Sequence, residues 1–322
     1  MASLKEIKTR IASVNSTRKI TSAMKMVASS KLHHAQVAIQ NMLPYENLLE
    51  HILKSFLVSM PEAQSVFAQS HKGVKHVALV VYSSNSSLCG GFNANVLRMM
   101  EQVVKEYRSQ NVEVTIYPIG RRVEERVDRD GYAKAGSFME LAEKPNASQC
   151  AEIARKLGKQ YLNGEVDKVE LIYHHFKSAG SQVLTRRQFL PIDLSTESIG
   201  AYNDRDLSSN MVTAKAQEYL RKNKKNDEKS EQEVHPLNDD FIVEPDLETV
   251  IKKLVPKLLD LMVYTALLDS NASEHAARMV AMQAATDNAD DLLHDLNLEY
   301  NKSRQAAITS ELLDIVGGSV NN

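Results

Sequence analysis

Residues 254–307 read LVPKLLDLMVYTALLDSNASEHAARMVAMQAATDNADDLLHDLNLEYNKSRQAA. Alternate steps of four and three from Leu254 meet Leu258, Leu261, Thr265, Leu268, Ala272, His275, Met279 and Met282. The same steps continue through Thr286, Ala289, Leu293, Leu296, Tyr300, Ser303 and Ala307. Most of these are apolar or small, and a repeat of about 3.5 residues held this long specifies a supercoiled helix. Neither Gly nor Pro falls between Pro256 and Gly317, which allows about 60 residues of one helix, roughly 90 Å long. A rod of that length outreaches an ordinary globular core, so it points to scaffolding or mechanics before catalysis.

Such a rod needs a partner for its stripe, and the other end of the chain supplies one. Residues 2–43 read as helix: Leu4, Ile7, Ile11 and Val14 are spaced 3-4-3, and a second stripe follows through Ile20, Met24 and Val27. Ala12, Ala23, Ala28, Ala35 and Ala38 are small enough for close helix approach. Pro44 should bend this helix, which resumes from Tyr45 to Met60 and ends at Pro61.

The texture changes at Gly73. His76–Tyr82 has the pattern of a buried strand, followed by a Ser/Asn/Gly-rich loop and a helix over Asn93–Tyr107. A strand at Val112–Ile119, helices at Arg121–Asp128 and Ser148–Leu162, and strands at Lys168–Phe176 and Val183–Ile192 complete an α/β pattern. Further on, Arg221–Glu233 is densely charged and reads as a flexible insertion, with a helix at Met211–Leu220 before it. Asp246 should cap the C-terminal helix, and Pro256 should kink it early. The expected architecture is therefore α plus α/β, a long antiparallel coiled coil of the terminal helices with a central Rossmann-like domain at one end. Its parts are a helix in 1–60, the α/β domain in 74–195, the insertion in 196–243 and a helix in 244–322.

Composition narrows the classes. The chain has 322 residues, 43% hydrophobic and 25% charged, which suits a soluble protein with a core. Its net charge of -2 gives no overall pull toward nucleic acid. The distribution is uneven: Lys5, Lys8, Arg10, Arg18, Lys19, Lys25 and Lys31 face only Glu6, whereas Asp287, Asp290, Asp291, Asp295, Glu299, Glu311 and Asp314 face Lys302 and Arg304. Opposite charges would draw the two ends together or present a basic face to a partner; two solvated faces explain them equally well. Cys89 and Cys150 make neither a disulfide framework nor a metal spacing, as in a reducing compartment. The longest apolar run, Val77–Tyr82, is far too short for a bilayer. The basic, Ser-rich N-terminus has the look of a mitochondrial transit peptide.

Few motifs carry chemistry. Ser83–Asn93 (SSNSSLCGGFN) joins a strand to a helix, where backbone N–H groups can hold a phosphate. It lacks the phosphate-loop lysine and the dinucleotide glycine pattern, so a tight structural turn is the default and a nucleotide cradle the alternative. His33-His34 and His174-His175 diverge rather than converge on one metal, and His275 falls on the seam. Arg304, Gln305, Thr309 and Glu311 are helical polar residues that spacing alone assigns either to solvent or to a partner.

Several blocks together are more specific. Met1-Ala-Ser-Leu-Lys-Glu-Ile-Lys, Thr17-Arg-Lys-Ile-Thr-Ser-Ala-Met-Lys-Met-Val-Ala28, Leu88-Cys-Gly-Gly-Phe-Asn93, Ser273–Asn288 and Tyr300–Glu311 resemble the gamma subunits of F-type ATP synthases, in order. The resemblance covers nearly the whole chain except roughly 196–243. It implies a rotor shaft whose terminal helices form a coiled coil inside a ring of alpha and beta subunits. Its α/β domain would rest, with the epsilon subunit, on the membrane ring of c subunits. Proton flow would turn the shaft and couple rotation to ATP synthesis or hydrolysis, with no cofactor and no catalytic group of its own. By the same resemblance Met24 faces the beta-subunit lever, Arg304, Gln305, Thr309 and Glu311 grip a beta-subunit loop, and Arg278 supports that coupling.

The departures are informative. Asn85-Ser86-Ser87 replaces the family's charged Asp-Arg/Lys-Gly, and Ser22 stands where many members have Lys. The insertion holds no cysteine, which gives no support to thiol regulation. The basic N-terminus matches the mature family start, which implies a bacterial protein at the cytoplasmic face of the inner membrane. The alternative is a nucleotide-dependent enzyme with a coiled-coil appendage.

Overall fold

The computed structural model describes residues 3–59, 66–71, 73–192, 243–244 and 246–319. Helix α1 runs over Leu4–Ser59, 56 residues and roughly 84 Å. The C-terminal helix, labelled α6 below, runs over Leu247–Ser319, 73 residues and roughly 110 Å. Pro44 and Pro256 lie inside these helices, and each helix continues past its proline. The reason is packing. A helical proline costs about 3 kcal/mol, whereas Leu49, Leu53, Val255 and Leu258 beside the two prolines are all buried. Each such side chain contributes about 1.5–3 kcal/mol. Asp246 caps α6 as expected, accepting from the Thr249 backbone N–H and hydroxyl at 2.8 Å each. Those bonds hold its carboxyl below the ordinary carboxylate value.

The two helices are antiparallel. Thr21 and Thr286 hydroxyls meet at 2.8 Å, and Arg18 donates to Asp290 at 2.8 Å. Every seam position from Leu254 to Ala307 is buried or half-buried. On α1 the facing stripe is Ile7, Ile11, Val14, Thr21, Ala28, Leu32 and Ala35. The second stripe expected on α1 does not join it: Ile20 and Val27 are 60% and 57% exposed. Each lies one position, about 100°, from Thr21 and Ala28 and so turns off the seam. Ala12 and Ala23 also face outward, while Ala28, Ala272 and Ala276 provide the close approach. The charged ends matter less than the seam, since an exposed pair such as Arg18–Asp290 contributes at most about 1 kcal/mol.

Between the helices lie β1 (His76–Tyr82), α2 (Phe92–Ser109), β2 (Glu113–Ile119), α3 (Arg121–Asp130), β3 (Ala133–Lys134), α4 (Met139–Glu143), α5 (Ala147–Leu162), β4 (Lys168–Ser178) and β5 (Ser181–Leu190). β3 and α4 are too short to carry a hydrophobic period, which is why sequence pattern passes over them. The sheet order is β3-β2-β1-β4-β5, parallel except for the outer strand β5. Val77, Leu79 and Val81 face α2 and α3. Ala78, Val80 and Tyr82 face α5 and the stretch of α6 from Ile251 to Leu267. Helix α6 is thus one layer of the α/β domain, which packs along the base of the coiled coil. Residues 196–242 of the charged insertion, with the helix expected at Met211–Leu220, lie outside the described residues.

Where β4 outruns its neighbours it docks on α6. Asp269 accepts from the Phe176 backbone N–H at 2.8 Å and pairs with His175 Nδ1 at 2.6 Å, and Ser273 donates to the His174 carbonyl at 3.0 Å. The two histidines do diverge. His174 is 2% exposed and stacks on Phe92, and its Nδ1 has no partner among the described residues.

Burial lowers the His174 pKa to about 4. An unfolded histidine titrates near 6.5, so the unfolded chain binds the extra proton between those values. The stability from neutral His174 is full above about pH 6.5 and is lost as pH falls toward 4, with a ceiling of about 3 kcal/mol. Thermal unfolding of the purified chain should therefore lose stability over that interval. His174→Phe should flatten the slope; an unchanged slope would refute this assignment.

Candidate coupling surface

The antiparallel register sets where the shaft ends. With Thr21 opposite Thr286 and Ile7 packed near Leu296 and Glu299, the start of α1 lies level with about residue 303 of α6. From Arg304 to Ser319, roughly 24 Å of helix, α6 runs on without α1. Side chains from Ile308 to Leu313 are all exposed, among them Ile308 at 48%, Leu312 at 57% and Leu313 at 66%.

Arg304, Gln305, Thr309 and Glu311 all lie on this overhang and are all exposed. At about 100° per residue they share one face, roughly 160° wide, with Ile308 and Leu312. That face points about a third of a turn from the seam, which explains why these residues leave the 3.5 repeat. Thr309 donates to the Gln305 carbonyl at 2.9 Å, so its hydroxyl is satisfied within the helix. The face thus mixes a cation, an anion, an amide and branched apolar side chains.

Met24 is placed elsewhere, on the half-buried edge of the coiled coil. Around its level Ile20, Met26, Val27 and Val280 are 60%, 67%, 57% and 46% exposed. This apolar waist is the surface left by the stripe that does not join the seam. Arg278 sits some 26 residues, roughly 39 Å, below the tip and turns toward the α/β domain. Its guanidinium donates to Glu274 at 2.6 Å, to Ser86 Oγ at 2.8 Å and to the Ser87 carbonyl at 2.5 Å. The structure thus groups the four tip residues and leaves Met24 and Arg278 as separate points on the shaft.

The loop that Arg278 holds is the one considered as a phosphate cradle. Its polar groups are engaged internally: Asn93 accepts from the Ser84 N–H at 3.1 Å and donates to the Ser86 carbonyl at 3.3 Å. Leu88 and Gly90 both take positive φ, 67° and 58°. Gly120 closes the neighbouring turn so tightly that a Cβ would fall 2.2 Å from the Ser83 carbonyl oxygen. In a sheet of this order a ligand would bind outside the carboxyl ends of β1 and β4. Here Phe92, His174 and α6 from Asp269 to Arg278 fill that crevice. Asp269, Ser273 and Glu274, all buried, are contacts that sequence pattern missed. Their one signal was a polar run inside a helix that has to be covered. Among the described residues no cluster could hold a metal, and no helix is long and apolar enough to cross a membrane.

Residues 3–320 match the family described as ATP synthase. The ATP synthase gamma chain of Phocaeicola vulgatus is 51% identical over 321 residues, covering 99% of this chain and 100% of the relative. That of Bacteroides thetaiotaomicron is 49% identical with the same coverage, and that of Flavobacterium johnsoniae 38%, covering 99% and 98%. Among solved structures, the central stalk/c-ring of the Tetrahymena thermophila mitochondrial ATP synthase aligns with a TM-score of 0.54 at 26% identity, covering 83% of this chain and 99% of that one. The rotor of the Euglena gracilis enzyme has the same fold, with a TM-score of 0.57 at 18% identity over 95% and 98% of the two chains. With the terminal helices and the α/β domain matched over nearly all its length, this chain belongs to the gamma chains of F-type ATP synthases, the central-stalk subunit of that enzyme.

Proposed function

We propose that the chain turns as a non-catalytic shaft inside a ring of alpha and beta subunits, with its tip held by beta-subunit loops. The observation that carries this reading is the overhang of α6, where Arg304, Gln305, Thr309 and Glu311 share one exposed face. Met24 and its apolar waist would bear on the beta levers. Arg278 would serve coupling indirectly, by fixing the Ser86-Ser87 loop to the shaft. The α/β domain, together with the epsilon subunit, would rest on the c-subunit ring. On this reading the chain sits peripherally at the cytoplasmic face of a bacterial inner membrane. The division into a helix in 1–60, a domain in 74–195, an insertion in 196–243 and a helix in 244–322 belongs to the same reading. It is qualified by the layer that α6 contributes to the domain.

Charge-assisted hydrogen bonds contribute about 1.5–3 kcal/mol each, and about 1.4 kcal/mol is tenfold in rate. Arg304→Ala combined with Gln305→Ala should therefore lower ATPase turnover of the assembled complex about tenfold or more while the complex still forms. Unchanged turnover with unchanged assembly would remove the tip from the mechanism. The nucleotide-dependent enzyme is disfavoured because the shaft fills its cleft. Equilibrium dialysis of the isolated chain against ATP should show nothing tighter than roughly millimolar binding; micromolar affinity would overturn the shaft-only reading.

A further inference from the structure

β5 carries two consecutive arginines, and successive strand residues point to opposite faces. Arg186 turns toward α2. It donates to Glu170 at 2.7 Å, to Glu106 at 2.8 Å and to the Tyr107 hydroxyl at 3.0 Å. All of these partners lie within the α/β domain.

Arg187 turns the other way, to the coiled coil. One terminal nitrogen donates to Glu46 Oε1 at 2.8 Å and the other to Glu50 Oε2 at 2.9 Å. Glu46 and Glu50 are one turn apart on α1, so a single planar guanidinium can span both. The second oxygen of Glu46 accepts from the Thr265 hydroxyl on α6. One side chain of the domain therefore engages α1 directly and α6 through Glu46. The Glu46 side chain is 1% exposed and that of Arg187 16%, and a carboxylate buried this deeply is strongly unfavourable unless paired.

Among the described residues, apolar contact between domain and α1 runs through Leu49 and Leu53 in the shared core and through Phe176 beside Leu32 and Ile39. Apolar burial is non-directional: it resists separation but does little to fix an angle. Hydrogen bonds are directional and do fix one. Asp269, Ser273 and Arg278 already tie the domain to α6 by directional bonds. We infer that Arg187 is a positioning residue, a clasp that fixes the α/β domain in rotation against α1 and so stiffens the joint between foot and shaft. This rests on the shaft reading above, because a joint matters mechanically only if torque crosses it.

The test uses the assembled complex with its catalytic ring immobilised and stalled by a non-hydrolysable ATP analogue. A gold nanorod is attached to the domain at the exposed position Lys144→Cys, and its angular variance is recorded. Arg187→Met should at least double the variance, and Arg187→Lys, which keeps the charge but cannot span both carboxylates, should fall between. Arg186→Met is the control. It removes hydrogen bonds that lie wholly inside the domain, so it should lower the melting temperature without raising the variance. Equal variance in Arg187→Met and the unmodified complex would overturn the clasp, as would an equal rise in both arginine variants. If Arg187→Met does not assemble, Glu50→Gln decides: a measurable rise supports the clasp and none overturns it. Failure of the unmodified chain to enter a catalytic ring would instead defeat the shaft reading itself.

Discussion

Neither terminal helix can bury its own stripe, and the rest of the structure follows from that constraint. The seam on α6 finds its cover on α1, from the other end of the chain. Where the cover is small, as at Ala28, Ala272 and Ala276, the helices come close. Where it stops, at the start of α1, the tip of α6 is left bare. The overhang is therefore a difference in length between two helices whose register is set by packing. Exposed charges at the two ends follow the pairing rather than cause it.

The same helix does two further things. Its lower part is a layer of the α/β domain, and its middle fills the crevice in which such sheets usually hold a ligand. Ordinary apolar packing explains the first role, through Ile251, Val255, Leu258 and Val263. The second requires Asp269, Ser273 and Glu274 to be buried with partners: His175 and Phe176, the His174 carbonyl, and Arg278. The α/β domain is thus a collar on a rod, with a helix of the rod lying where such sheets usually hold a ligand.

Most of this fold was legible in the residues, because the decisive elements are long and periodic. The 3.5 repeat located α6, and apolar runs located β1, β2, β4 and β5. Sequence failed where the deciding partner is distant or the element short. Nothing local distinguishes Ile20 and Val27 from seam residues until Thr21 and Ala28 are seen to face α6. The helices continue past Pro44 and Pro256 with buried side chains on either side, a balance that local propensity does not report. Of the residues proposed for coupling, spacing could place Arg304, Gln305, Thr309 and Glu311 on one helix but could not choose between solvent and a partner. The family resemblance points to a partner, and the register shows that α1 leaves them uncovered. The resemblance singled out Arg278, but nothing in the sequence pointed to its hold on Ser86 and Ser87. Glu46 and Arg187, 141 residues apart, gave no local signal at all.

The distance between the partners in the coil also bears on how the protein is made. Arg18 and Asp290 are 272 positions apart. A ribosome adding about 5–20 residues per second needs roughly 14–54 s to pass from one to the other. For that interval the newborn N-terminal segment has emerged while the cover for its stripe does not yet exist. An isolated helix with an exposed stripe is marginal and prone to stray association. The α/β domain can close around its own sheet in the meantime, but its last layer also waits for the C-terminal residues. Biosynthesis of the shaft is therefore completed all at once and late, and a truncated chain lacks both its coil and a wall of its domain.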